Sequence, residues 1–322
     1  MWMTDRPTDP EDAEAEAPVA PPLDLPPVVT VPEAVGMERF QLAGLEANLW
    51  FERRSDVLIV SFDNLATVDE GWPRGPWLGG RIAEMGYSVL GVQSFAKDWF
   101  RPSSAPTLLR ALDGAGFFDR FRRVIFMGAS MGGFAALNFA PLVAGARVLA
   151  FSPQSTMNKV IAPFEQRFPF SVRKSNWEGM PFLDAAAAVP YIRKAVILYD
   201  PFVPEDKAHI ARLSGPNVQL LQAGHATHEA IRVVLKSGCL PILLRDLAEQ
   251  DFIGPEFWRQ YRGRRGVGKW QRAVTEAMAR GDRHPRLTIA ACDVMLKDGA
   301  DLAFARRARR HARALMAAPT TT

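Results

Sequence analysis

The chain has 322 residues, of which 48% are hydrophobic and 23% charged, with a formal net charge of +4. This composition supports a sizeable core and is ordinary for a soluble protein. No apolar run is long enough to span a bilayer, and the N-terminus lacks the basic and apolar regions of a secretory signal. We therefore expect a soluble, cytoplasmic protein.

Two cysteines, Cys239 and Cys292, lie far apart in apolar segments. Their spacing excludes a disulfide framework and matches no metal site, so buried thiols are expected. No metal or cofactor is predicted. Charge is uneven, because residues 1–33 hold one basic and eight acidic residues, whereas the region after 250 is rich in arginine. Such a basic end could meet an acidic partner, but it is more often a solvated helix face, and no nucleic-acid partner is expected.

Residues 1–35 are acidic and proline-rich with almost no aromatic residues, which predicts a disordered tail. Order is expected from about Met37. From there the sequence favours strands at 38–42, 48–53, 57–62, 88–92, 124–127, 146–151, 194–199 and 218–221, and helices near 76–86, 104–114, 226–237, 240–250, 255–279, 285–297 and 301–316.

Strands separated by helical segments predict an α/β domain over residues 36–250, built on a doubly wound, mostly parallel sheet. The long connection 152–190 is rich in aromatic and basic residues. It fits a small cap over a site and equally a packed surface excursion. Residues 251–322 predict a helical C-terminal extension.

The segment Gly128–Gly132, Gly-Ala-Ser-Met-Gly, follows an apolar strand and precedes an alanine-rich helix. This is the G-x-S-x-G pattern of a nucleophile elbow, in which glycines on both sides allow a tight turn that exposes the serine hydroxyl. The helix behind Ser130 directs its positive dipole end at the place where an oxyanion would form.

Two further segments carry a resemblance to the α/β-hydrolase-fold superfamily of serine esterases and lipases. Tyr199-Asp200-Pro201-Phe202-Val203-Pro204 follows a strand, as the acid of that family does, and Ala223-Gly224-His225 follows the last strand. The resemblance covers roughly residues 37–250. It implies a triad of Ser130, Asp200 and His225, in the chain order that this fold requires.

Each partner of Ser130 has an alternative. Glu205 and Asp206 are close to the preferred acid, Asp200, and His228 lies one helical step beyond the preferred base, His225.

The resemblance also implies an oxyanion hole formed by the backbone N–H groups of Met131 and of a residue after strand 57–62. Asn64 is the prediction for that second donor, although the sequence Phe-Asp-Asn-Leu departs from the family's His-Gly pattern.

The leading functional prediction is a serine hydrolase that acts on a small-molecule or glycan-linked acyl substrate. Esterases, thioesterases, peptidases and acyltransferases share these residues, so the fold does not choose among them. The alternative is a catalytically silent scaffold of the same fold that binds a partner through its C-terminal helices. The sequence predicts neither the natural substrate nor the oligomeric state.

Overall fold

The computed structural model of the chain describes residues 23–101, 103–179, 181–297 and 302–317. One sheet of eight strands has the order β1-β2-β4-β3-β5-β6-β7-β8. The strands are β1 (Arg39–Ala43), β2 (Ala47–Glu52), β3 (Val57–Phe62), β4 (Ser88–Ser94), β5 (Arg123–Ala129), β6 (Arg147–Phe151), β7 (Lys194–Tyr199) and β8 (Val218–Gln222). Only the pairings β1–β2 and β2–β4 are antiparallel.

One helix of the described residues precedes β1, and the others lie between the strands or after β8. They are α1 (Val31–Ala34), α2 (Leu65–Asp69), α3 (Gly79–Glu84), α4 (Ala105–Gly114), α5 (Met131–Phe139), α6 (Pro169–Arg173), α7 (Ala185–Ala188), α8 (Pro204–Ala211), α9 (Ala230–Lys236), α10 (Leu240–Glu249), α11 (Pro255–Gln260), α12 (Gly268–Ala279), α13 (Pro285–Met295) and α14 (Ala303–Ala317). Within the described residues, none is long and apolar enough to cross a membrane.

The sheet is covered on both faces, which explains its continuous apolar strands. All six residues of β3 are buried, and they alternate between two cores. Leu58 and Val60 pack with α4 and α5 on one side, whereas Val57 and Ile59 pack with α3, α9 and α10 on the other. The structure therefore confirms the predicted doubly wound, mostly parallel α/β sheet.

Order begins earlier than the composition indicated. Residues 23–35 were assigned to the disordered tail, yet Gln41 donates its backbone N–H to the carbonyl of Pro27, and Ala34 in α1 is fully buried. Val29, Val31 and Val35 account for this, because they pack against the core beside β1. The rest of the predicted tail, residues 1–22, lies outside the described residues.

The C-terminal extension is continuous with the sheet domain at its start. Phe257 and Tyr261 belong to the core beneath the sheet, while α12, α13 and α14 pack mainly on one another. The single helix predicted over 255–279 is instead α11, a 3₁₀ segment over 261–266, and α12. Glycines at 263 and 266 lower the helical propensity at this break. Both cysteines are buried free thiols, as predicted.

Candidate active site

Ser130 lies on a sharp turn between β5 and α5, with backbone angles of φ 51° and ψ −115°. A non-glycine residue rarely adopts this strained conformation, which is typical of functional sites. The turn requires the neighbouring glycines. A Cβ at Gly128 would lie 2.2 Å from the backbone of Gly132, and one at Gly132 would lie 2.7 Å from the carbonyl oxygens of Phe62 and Asp63.

A chain of hydrogen bonds links Ser130 to His228 and Asp206. The Oγ atom of Ser130 lies 3.0 Å from Nε2 of His228, and Nδ1 of the same ring lies 2.9 Å from both carboxyl oxygens of Asp206. Asp206 is only 1% exposed, in the first turn of α8. The buried carboxylate therefore fixes the imidazole with Nε2 facing the serine hydroxyl.

The structure brings neither His225 nor Asp200, the predicted base and acid, into contact with Ser130. His225 stacks on Phe202, with ring centroids 4.5 Å apart, and makes no hydrogen bond to Ser130. Burial lowers the pKa of His225, against the opposing effect of Asp200. Of the two histidines that the sequence left open, it is thus His228 that reaches the serine.

Asp200 instead holds two loops together. Its Oδ1 accepts the backbone N–H of Phe202 at 3.0 Å, and its Oδ2 accepts that of Thr227 at 2.8 Å. The first bond orders the turn before α8, which carries Asp206, and the second orders the turn before His228. Asp200 therefore acts on the site through the backbone rather than through the imidazole.

The connection 152–190 is tied to this hydrogen-bond chain through Arg167. Its Nη1 lies 2.9 Å from Asp206 and 3.3 Å from Nδ1 of His228, and its other guanidinium nitrogens bind Glu165 at 2.6–3.0 Å. Glu165 is fully buried and also accepts from Nε2 of His209 at 3.0 Å. Burial alone would raise the pKa of Glu165, but the bonds from His209 and Arg167 outweigh it and lower the pKa to about 2.

The tautomer of His209 follows from its contacts. The backbone N–H of Ser155 donates to Nδ1 at 3.2 Å, so this nitrogen is an acceptor and Nε2 carries the proton given to Glu165. The pattern of charged residues in the sequence did not identify this network, because its members are separated by up to 61 residues along the chain.

A second side chain reaches the serine hydroxyl. Nε2 of Gln154 lies 3.0 Å from Oγ of Ser130, and Oε1 of the same amide accepts the indole N–H of Trp99 at 3.1 Å. Trp99 also contacts Phe168 and Trp177, with ring centroids 5.6 and 6.4 Å apart. These rings form an apolar wall beside the site. Glutamine is not part of the common catalytic motifs, so no pattern in the sequence pointed to Gln154.

The predicted oxyanion donor Asn64 is engaged elsewhere. Its backbone N–H donates to Oγ1 of Thr67 at 2.8 Å, while its side chain caps α2 by accepting from Ala66 and Thr67. In the part of the chain that the structure describes, no acceptor is found for the backbone N–H of Leu65, the next residue, or for that of Met131.

The loop before Asn64 rests on a buried ion pair. Oδ2 of Asp63 accepts from Arg74 at 2.7 Å and from the backbone N–H of Ser94 at 3.1 Å. Burial raises the pKa of Asp63 to about 6, although the Arg74 guanidinium opposes the rise. This pair anchors the end of β3 beside α5. Over the described ranges, no group of three or more His, Cys, Asp or Glu side chains could hold a metal ion.

No protein-family model matches the chain, and no curated protein matches it. Among solved structures it is similar to the capsule O-acetyltransferase of Neisseria meningitidis serogroup A, with 8% identity over 64% of this chain and 93% of the other at a TM-score of 0.42. It is also similar to the fluorophosphonate-binding serine hydrolase F of Staphylococcus aureus, with 12% identity over 66% and 98% and a TM-score of 0.42. A third is the Pyrococcus furiosus esterase PF2001, with 16% identity over 74% and 97% and a TM-score of 0.39.

At these identities and TM-scores, none of the three structures bears on the activity or the site residues of this chain. The fold is visible in the chain's own architecture. A mostly parallel eight-stranded sheet, with Ser130 on a sharp turn after β5 and with Asp206 and His228 in the segments after β7 and β8, has the α/β-hydrolase fold that the sequence predicted.

Proposed function

We propose that this chain is a serine hydrolase that acts on an ester or related acyl substrate. The observation that carries the proposal is the hydrogen-bond chain itself, with 3.0 Å from Ser130 to His228 and 2.9 Å from His228 to Asp206. In this proposal Ser130 is the nucleophile on its elbow, His228 the general base and Asp206 the acid that orients the imidazole.

The reaction proceeds in two halves. Oγ of Ser130 forms a bond to the acyl carbon as its proton passes to Nε2 of His228, and the carbonyl oxygen becomes an oxyanion. When this intermediate collapses, the bond to the leaving group breaks and His228 returns the proton to it. Water then attacks the acyl-enzyme with His228 as base, which releases the acid and restores Ser130.

The backbone N–H of Met131 at the start of α5 is the first oxyanion donor in this mechanism. Leu65 takes the place that the sequence assigned to Asn64, because its N–H stands one residue further along the same loop and finds no acceptor in the described residues. Losing one such donor typically costs about 3 kcal/mol of transition-state stabilisation.

The substrate proposal is a small-molecule or glycan-linked acyl ester. The basic residues of 152–190 suggest an acidic ester, yet Arg167, which contacts His228, is already neutralised by Glu165 and Asp206. We therefore expect no strong preference for an anionic substrate. Comparable turnover of neutral and anionic acyl esters is the expected result, and a marked preference for the anionic ester would contradict it.

Labelling with a fluorophosphonate probe tests the proposal. We expect the wild type to be labelled, and Ser130→Ala and His228→Ala to lose labelling. His225→Ala is a matched control, because it removes a histidine three residues away that does not contact Ser130, and it should retain labelling. A folded wild type that is not labelled would favour the catalytically silent scaffold. Labelling lost in His225→Ala but kept in His228→Ala would refute the assignment of the base.

A further inference from the structure

Two nitrogen atoms from different side chains lie 3.0 Å from Oγ of Ser130. One is Nε2 of His228 and the other is Nε2 of Gln154. Gln154 is fully buried and lies just after the end of β6, which pairs with β5, the strand that leads into the serine turn. Contacts with surrounding protein atoms, and not solvent, therefore fix the position of this side chain.

The orientation of the Gln154 amide is fixed by Trp99. An indole N–H can only donate, and it lies 3.1 Å from Oε1 of Gln154, so this atom must be the carbonyl oxygen. The NH₂ nitrogen is then the nearer of the two amide atoms to Oγ of Ser130, at 3.0 Å against 3.4 Å for Oε1. Because the single hydroxyl proton of Ser130 is directed to His228, the contact with Gln154 uses a lone pair of Oγ, and the amide is the donor.

We propose that Gln154 is a further catalytic residue, which donates a hydrogen bond to the nucleophilic oxygen. This inference rests on the proposed serine hydrolase function. The bond holds Oγ in the position in which its proton meets His228, and it stabilises the negative charge that grows on Oγ as the proton leaves. Gln154 itself forms no covalent bond and transfers no proton.

The two sides of the amide have separate roles. Trp99 is fully buried and contacts Oε1, so it orients the amide without touching Ser130. A Trp99→Phe variant keeps an aromatic ring but removes the indole N–H that donates to Oε1 of Gln154. It should weaken the reaction less than a change of Gln154, since the amide then becomes free to turn but is not removed.

The decisive variant is Gln154→Glu, which has nearly the same shape. At neutral pH a carboxylate would repel the charge growing on Oγ, so labelling by a fluorophosphonate probe and hydrolysis of p-nitrophenyl acetate should slow by roughly 10- to 100-fold. As the pH falls and this carboxyl group gains a proton, it regains an O–H donor. The rate ratio of variant to wild type should therefore rise at low pH, which a purely structural role would not produce.

Gln154→Ala should slow both reactions by a similar factor, but with a ratio that is independent of pH. Gln222→Glu, on the exposed edge strand β8, is the control and should keep wild-type rates. If Gln154→Ala does not fold, the pH dependence of the rate ratio between Gln154→Glu and the wild type is the test of the proposal. Wild-type rates in folded Gln154 variants, or a ratio for Gln154→Glu that does not change with pH, would overturn this inference alone. An unlabelled wild type would overturn it together with the hydrolase proposal.

Discussion

Glu165→Gln tests whether the buried charge network beside His228 stabilises the fold. The pKa of Glu165 is lowered from 4.5 to about 2 by hydrogen bonds from His209 and Arg167 that outweigh its burial. A carboxyl group whose pKa is lower in the folded state contributes stability above its unfolded pKa. That contribution is lost as the pH falls towards the folded value. The relevant window is therefore about pH 4.5 to 2.

The size of the effect follows from the shift. A change from 4.5 to about 2 corresponds to about 3 kcal/mol of unfolding free energy, at about 1.4 kcal/mol for each pKa unit. At pH 6 the wild type should exceed Glu165→Gln in stability by about this amount, because a neutral amide cannot replace the carboxylate that binds His209 and Arg167, and Arg167 then keeps only Asp206 as an ionic partner. Near pH 2 the pH-dependent part of the difference should vanish.

Urea unfolding followed by circular dichroism between pH 2 and pH 7 measures this difference. Glu178→Gln is the matched control, since Glu178 is an exposed residue of the same connection, and its curve should follow the wild type. Curves for Glu165→Gln and wild type that stay parallel across the whole pH range would refute the reasoning, because they would show that ionisation of Glu165 contributes nothing.

Two further substitutions test the backbone that positions the site. Gly132→Ala would place a Cβ 2.7 Å from the carbonyl oxygens of Phe62 and Asp63. We therefore expect labelling to fall by about 100-fold or more, and thermal stability to drop. Gly80→Ala is the control: its Cβ would meet nothing within 4 Å, so labelling and stability should stay unchanged. Asp200→Asn keeps one acceptor oxygen but loses the negative charge that accepts the backbone N–H groups of Phe202 and Thr227. We expect labelling to be roughly 10-fold slower, with Ser130 and His228 still essential. Complete loss of labelling in a folded Asp200→Asn protein would argue that Asp200 takes a direct part in the reaction.

The sequence was a good guide wherever a local pattern has a single structural solution. The apolar run of β3 and the glycines around Ser130 each correspond to one arrangement in the structure, because a buried parallel strand and a tight strand-to-helix turn restrict the residue types strongly. The strands β5, β7 and β8 were likewise predicted, and the topology of the sheet brings their carboxyl ends, and with them Ser130, Asp206 and His228, to one edge.

The sequence was a poorer guide to which histidine contacts Ser130 and which carboxylate contacts that histidine, because both depend on one local turn. The sequence favoured a helix from residue 226, which would place His228 within it, but α9 begins only at Ala230. His225 and Thr227 adopt positive φ angles of 63° and 64°, and these two left-handed residues turn the chain so that His228 faces Ser130. Thr227 is β-branched and therefore unfavourable at positive φ, so residue propensities did not predict this turn.

The turn at His225 and Thr227 and the use of Asp206 beside His228 have one physical origin. Asp200 stands where the family places its acid, but its carboxylate accepts the N–H of Thr227 and so holds the strained turn that moves His228 into the site. His228 in turn needs a carboxylate beyond that turn, and Asp206 supplies it from α8, with Arg167 closing the other side. The positions of His228 and Asp206 are therefore coupled. Pairing Asp200 with an imidazole would require breaking the bond to Thr227 that orders the histidine loop.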